Sequence, residues 1–212
     1  WVYYDKNGDA VTEQWAKSGN NWFWLNEDGE MATDYLVDDD GNYYYVDANG
    51  AMVTNQWVSI ENEDYDGDDG DEPLNYWYYF GANGKAYKSS SNSNSASFKT
   101  INGKKYIFND EAQMLYGWID TDGQRVTGDD DWREGTYYCG DENDGAQKAG
   151  EWAYLDITDN NWDDVDTGLS SNNLFDDEDQ TRYFYFKTNG KKMTDEKGKT
   201  INGRKYSFDE YG

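Results

Sequence analysis

Apolar positions along this chain come in short bursts of rings, each closed by a polar turn. Trp1-Val-Tyr-Tyr-Asp-Lys-Asn-Gly8, Trp22-Phe-Trp-Leu-Asn-Glu-Asp-Gly29, Tyr43-Tyr-Tyr-Val-Asp-Ala-Asn-Gly50 and Trp77-Tyr-Tyr-Phe-Gly-Ala-Asn-Gly84 share one pattern. Weaker copies run from Lys105 to Ala112, Tyr138 to Gly145, Tyr183 to Gly190 and Lys205 to Gly212. The closing residues stand at 8, 29, 50, 84, 112, 145, 190 and 212, at intervals of 21, 21, 34, 28, 33, 45 and 22. A 21-residue period therefore underlies the chain, lengthened by insertions from the third interval onward. Each unit predicts a ring-rich strand, an Asn-Gly or Asp-Gly turn supplying positive φ, and a short second strand such as Ala51-Met-Val-Thr54. No stretch carries a 3.6-residue apolar period, so almost no helix is expected. Adjacent rings place aromatic surface on both sides of each strand, one for a core and one for neighbours or ligands. Single hairpins are marginal, whereas stacked ones bury a continuous core.

Composition sharpens this picture. The chain has 212 residues, 44 Asp and Glu against 18 Lys and Arg, a net charge of −26, and only 29 Leu, Ile, Val and Phe. Those values alone describe a disordered polymer. The 38 aromatic residues point the other way, because rings bury a large area each and can replace aliphatics. The charge argues against nucleic acid and anionic membrane surfaces as partners. No apolar run approaches the ~18 residues that a membrane helix needs. Cys139, the only cysteine, leaves the redox compartment open.

The insertions have their own composition. Residues 61–72 are almost wholly acidic, 89–97 are rich in Ser and Asn, 128–131 are acidic, and 156–179 mix Asp, Asn and Ser. The repeat resumes after each, so they read as solvated surface loops and 1–212 as one repeat module. Its regular repeats span 1–57 and its insertion-bearing repeats 58–212. Asp64, Asp66, Asp68 and Asp71 alternate as Ca²⁺ ligands can, but the Gly falls one place late for an EF-hand loop and no Glu stands at the twelfth position. Asp156, Asp159, Asp163, Asp164 and Asp166 form a second acidic group. Solvated loops are the default for both, a weak Ca²⁺ site the alternative, and no cofactor is otherwise expected. Without His, the usual general base is missing. There is no phosphate-binding Gly loop or Cys/His zinc spacing, and the expectation is a protein without catalytic residues.

The segments Trp15-Ala-Lys-Ser-Gly-Asn-Asn-Trp22 to Thr33 and Tyr43 to Trp57 resemble the choline-binding, or cell-wall-binding, repeats of Gram-positive surface proteins. That pattern is shared with the glucan-binding repeats of glucansucrases and the repetitive oligopeptides of clostridial toxins. Lys99-Thr-Ile-Asn-Gly-Lys-Lys-Tyr-Ile-Phe108 and Lys199-Thr-Ile-Asn-Gly-Arg-Lys-Tyr-Ser-Phe208 are similar to the short toxin-type or glucan-type unit. The resemblance implies an all-β solenoid of about eight hairpins with ligands in the grooves between them. In its choline-binding members three rings, often with a Met, cage the quaternary ammonium, which ring faces attract although it donates no hydrogen bond. Carried over by position, one cage takes Trp15, Trp22 and Tyr45 with Met31 nearby. A second takes Tyr35, Tyr43 and Met52, completed by a ring of the Trp77-Tyr-Tyr-Phe80 strand, with Trp57, Trp77 and Tyr79 as the further candidates. Core packing competes with ligand contact for each ring, and gap-filling for each Met.

The resemblance further implies a secreted or surface location, and that the chain is a fragment of a larger surface protein. The expected partners are choline-bearing teichoic acid, a glucan or a host glycan. The alternative is a structural spacer or adhesion stalk with every ring engaged in stacking.

Overall fold

The computed structural model describes residues 1–65, 67, 72–90, 94–157 and 180–212. They form two compact units. Unit 1 comprises 1–62, 75–89 and 108–114; unit 2 comprises 63–74, 90–107 and 115–212.

Unit 1 contains β1 (Gln14–Ser18), β2 (Asn21–Leu25), β3 (Tyr35–Asp39), β4 (Asn42–Val46), β5 (Gln56–Glu61) and β6 (Asn75–Phe80). Unit 2 contains β7 (Lys99–Ile101), β8 (Lys104–Tyr106), β9 (Gly117–Ile119), α1 (Asp131–Glu134), β10 (Tyr137–Cys139), β11 (Glu151–Ile157), β12 (Gln180–Phe186), β13 (Glu196–Ile201) and β14 (Arg204–Phe208). Every sheet among the described residues is a two-stranded antiparallel pair of consecutive strands. The fold is the expected all-β hairpin solenoid repeat, with one helical turn that grows out of the acidic insertion at 128–131 and buries Trp132.

The hairpins are phased differently from the simple expectation. Each ring-rich strand pairs along its length with the strand before it, as β2 does with β1 and β4 with β3. The turn after the rings closes only single bridges, such as Leu25 to Met31 and Val46 to Met52. Turn chemistry explains the difference. The loops Asp40-Gly41, Asn102-Gly103 and Asn202-Gly203 have positive φ at both residues, the two-residue geometry that matches strand twist. The loop after the rings is five residues long and is organised by a side chain. Asn26, Asp47, Asn109 and Asp120 each accept the backbone N–H groups two and four residues ahead. Asp5 does the same, and its bonds from the amides of Asp9 and Asn7 hold its carboxyl below the usual range. Several of the acids that give the chain its charge are thus turn-forming groups.

Alternation along these strands separates a core side from a ring side. In β1–β2 the core side carries Ala16, Phe23 and Leu25, and the ring side Trp15, Lys17, Trp22 and Trp24. The most deeply buried large side chains are Phe80, Phe108, Phe184, Phe186, Ile107, Ile119, Val37, Val46 and Cys139. Phe and aliphatics therefore take the deepest positions, while the ring-side Trp15, Trp24, Tyr43, Tyr45, Trp57 and Trp152 stay half-buried. Burial also pushes the Cys139 thiol up to about 12.

Candidate functional site

Within each unit the ring side of one hairpin lies against the core side of the next. In unit 1, Trp15 of β1 meets Tyr44 of β4 at 5.1 Å, Tyr45 of β4 meets Phe80 of β6 at 6.2 Å, and Trp57 of β5 stacks on Phe108 at 5.8 Å. In unit 2, Trp118 of β9 meets Phe184 of β12 at 5.2 Å, and Trp152 of β11 meets Tyr206 of β14 at 4.8 Å. Such edge and offset contacts contribute about 0.5–1.5 kcal/mol each beyond area burial.

A backbone hydrogen bond recurs at these seams. The N–H two residues past each turn donates to the carbonyl at the start of an earlier ring strand. The pairs are Met31 to Trp1, Met52 to Trp22, Ala86 to Tyr43 and Met114 to Trp77 in unit 1, each 2.8 Å. In unit 2 they are Gln147 to Lys105 at 2.9 Å and Lys192 to Thr136 at 2.7 Å. The donor's side chain covers the next turn. A Cβ on Gly50 would stand 2.9 Å from the Met31 sulfur, and one on Gly84 2.6 Å from that of Met52. These glycines are thus required twice, for positive φ and for space. Ala112, at φ +66°, stands where the others have Gly, and the seam residue matched to it is the small Ala86.

This geometry regroups the expected site residues. Trp15 and Trp22 share the ring side of β1–β2. Trp15 also packs on Trp24 at 5.3 Å, and its indole N–H donates to Asp39 at 3.2 Å. Tyr45 is not with them; it points to the following seam, where burial first and Asp34 and Asp47 second raise its hydroxyl pKa. The ring that meets Trp15 is Tyr44. Met31 sits one seam earlier, beside Trp1. In the second expected set, Tyr35 and Tyr43 fall on opposite sides of β3–β4, and Met52 belongs with Trp22. Trp57, Trp77 and Tyr79 do come together, with Trp57 at 6.5 Å from Trp77 and 5.2 Å from Tyr79. The Trp77 indole N–H is buried there without a hydrogen-bond partner.

Two grooves in unit 1 keep rings open. One, of about 560 Å³, is lined by Trp24, Tyr35 and Leu36 together with Glu13, Glu27 and Asp38. The other, of about 430 Å³, is lined by Trp1, Tyr3, Phe23 and Met31, with Lys17 at its side. On the ring side the chain also supplies its own cations, with the ammonium group of Lys17 5.6 Å from the Trp22 ring centre and that of Lys88 5.6 Å from the Tyr43 ring centre. Trp24, Trp1 and Tyr3 are not among the rings that the sequence pattern singles out. The spacing that relates Met31 to Trp1 and recurs, one period on, from Met52 to Trp22 is the signal that finds Trp1; no such spacing marks Trp24 or Tyr3.

Residues 11–57 match the choline-binding repeat. That stretch holds Trp15, Trp24 and Tyr35, so the match covers the acidic groove. A similar fold is found in solved structures. One is the modular autolysin LytC from Streptococcus pneumoniae, in complex with a synthetic peptidoglycan ligand. It has a TM-score of 0.56 and 20% identity over all of this chain and 37% of that one. Another is choline binding protein F from the same organism, in the presence of a peptidoglycan analogue. It has a TM-score of 0.53 and 19% identity over 98% of this chain and 53% of that one. This chain thus spans about a third to a half of the length of these neighbours, and at such identity the likeness is one of fold. No curated protein matches the chain.

Asp66, Asp68 and Asp71 of the first acidic group, and Asp159, Asp163, Asp164 and Asp166 of the second, lie outside the described residues. Asp64 is exposed, and Asp156 accepts the Thr181 hydroxyl at 2.9 Å. Among the described residues no group of three or more acidic, His or Cys side chains is arranged to hold a metal ion. No helix there is long and apolar enough to cross a membrane.

Proposed function

We propose that this chain is a non-catalytic wall-binding module whose seams take the quaternary ammonium of choline on a Gram-positive cell surface. The observation that carries this reading is the groove of Trp24 and Tyr35. It offers ring faces to methyl groups and three carboxylates to the positive charge. A cation bound there gains from the net charge of the whole chain as well, whereas the anionic polymer bearing it does not. The family match over the same residues supports this choice.

One observation favours a glycan as a second ligand. Tyr154 and Tyr183 stack at 4.3 Å on the surface of unit 2, with 59% and 64% of their area exposed. Tyr183 also lines a groove of about 690 Å³ with Trp152, Tyr206, Arg204 and Ser207. Flat rings beside hydroxyl and guanidinium donors suit a sugar face and its hydroxyls.

Thermal melts with millimolar choline or with a wall oligosaccharide separate the readings, because only a ligand of the folded state raises Tm. Choline is expected to raise it in the wild type and much less in Tyr35→Ala. A Tm unmoved by either ligand would favour the spacer.

A further inference from the structure

The seam closed by Lys192 in unit 2 already holds a cation. Lys192 occupies the place that Met31, Met52 and Met114 fill in unit 1, two residues past a turn and bonded to an earlier ring strand. It is one of two polar residues buried among the described ones, with 6% of its area exposed. Its ammonium donates to the carbonyls of Trp132 and Arg133, the latter at 3.3 Å. The same group lies 5.1 Å from the Trp118 ring centre and 5.9 Å from that of Phe184. Trp118, Trp132 and Phe184 are themselves buried, so solvent has little access. Two carbonyls and two ring faces around one positive charge are the elements of a cation-recognition site. Here they are built around a side chain of the protein itself. Helix α1, which supplies both carbonyls, lies beside an insertion and has no counterpart among the described residues of unit 1.

We infer that Lys192 is a tethered ligand: its ammonium fills the cation seat of this seam, which therefore takes no alkylammonium from solution until the side chain is removed. The inference draws on the reading of the seams as cation sites, but its test is separate from choline binding by unit 1. Cutting Lys192 back to Ala removes three carbons and the ammonium, the shape of n-propylammonium. In the full chain, Lys192→Ala lowers Tm. Addition of 100 mM propylammonium at pH 7 should restore about 2–4 °C beyond any shift in the wild type. An equal concentration of 1-propanol, which fills the space without the charge, should not. Lys192→Met carries the residue of the unit 1 seams and leaves no space for the amine, so it should respond as the wild type does. If Lys192→Ala is unfolded, recovery of its near-ultraviolet circular dichroism by propylammonium replaces Tm as the readout. Equal responses of all three proteins to the amine, rescue by propanol as good as by the amine, or no recovery of an unfolded Lys192→Ala would each overturn the inference. If choline fails to bind unit 1 while propylammonium still rescues Lys192→Ala, only the proposed function falls.

Discussion

The two units repeat one backbone device with different side chains at its seams. In unit 1 the seam residue is Met31, Met52, Ala86 or Met114, and rings such as Trp24 and Tyr35 border open grooves. In unit 2 it is Gln147 or Lys192, and basic groups cover the rings around Trp118 and Trp132, while Trp152 and Tyr183 still border an open groove. Arg133 lies 5.0 Å from the Trp132 ring centre and 5.1 Å from that of Tyr211, and Arg182 lies 5.0 Å from that of Trp132. A seam of rings is attractive to any cation. Whether it binds a ligand therefore depends on whether the chain has already placed one of its own there.

The largest effect expected from breaking this comparison lies in the core of unit 2. Phe186 is fully buried against Trp118 and Tyr138, and Phe186→Ala should cost about 3–5 kcal/mol in urea unfolding. The exposed Trp22→Ala in unit 1 should cost under about 1 kcal/mol.

Next is the pH dependence of Lys192. Burial lowers its pKa to about 8, although Asp209 and Asp131 pull the other way and the guanidiniums of Arg133 and Arg182 surround Trp132 beside it. The unfolded chain holds this proton up to about 10.5, so between pH 8 and 10.5 it binds more protons than the folded one and folding strengthens as pH rises. Cys139, whose folded pKa is raised to about 12, acts in the opposite sense above pH 9. Subtracting the Lys192→Met curve removes that contribution. The wild-type advantage over Lys192→Met should grow by about 3 kcal/mol across the window.

A third, smaller effect tests the paired exception at Ala86 and Ala112. Both belong to the cluster of Val53, Tyr78 and Phe80. Ala86→Met should destabilise by about 1–3 kcal/mol through overpacking. Ala112→Gly added to it should recover at least half, since Met52 over Gly84 shows that the larger pair fits.

The tight two-residue loops were expected after the rings and lie before them, at Asp40-Gly41 and Asn102-Gly103. The period and the ring-rich strands were legible because they are local. The partners of the rings were not. Tyr43, Tyr44 and Tyr45 are three identical side chains in a row, so alternation has no phase until Val37 and Val46 fix which side is buried. Taking each Met with the rings of its own repeat likewise misses a contact that runs back one repeat. Lys192 looks like surface charge beside Lys191. Its place two residues past Gly190, shared with Met31 and Met52 after Gly29 and Gly50, marks it as a seam residue.

Hydrogen exchange on the full chain, with and without saturating choline, tests the contrast between open and filled seams most directly. Choline should slow exchange of the amides around Trp24 and Tyr35 in unit 1 and leave those of Trp118, Thr136 and Lys192 in unit 2 unchanged. Protection spread equally over both units, or confined to unit 2, would contradict it.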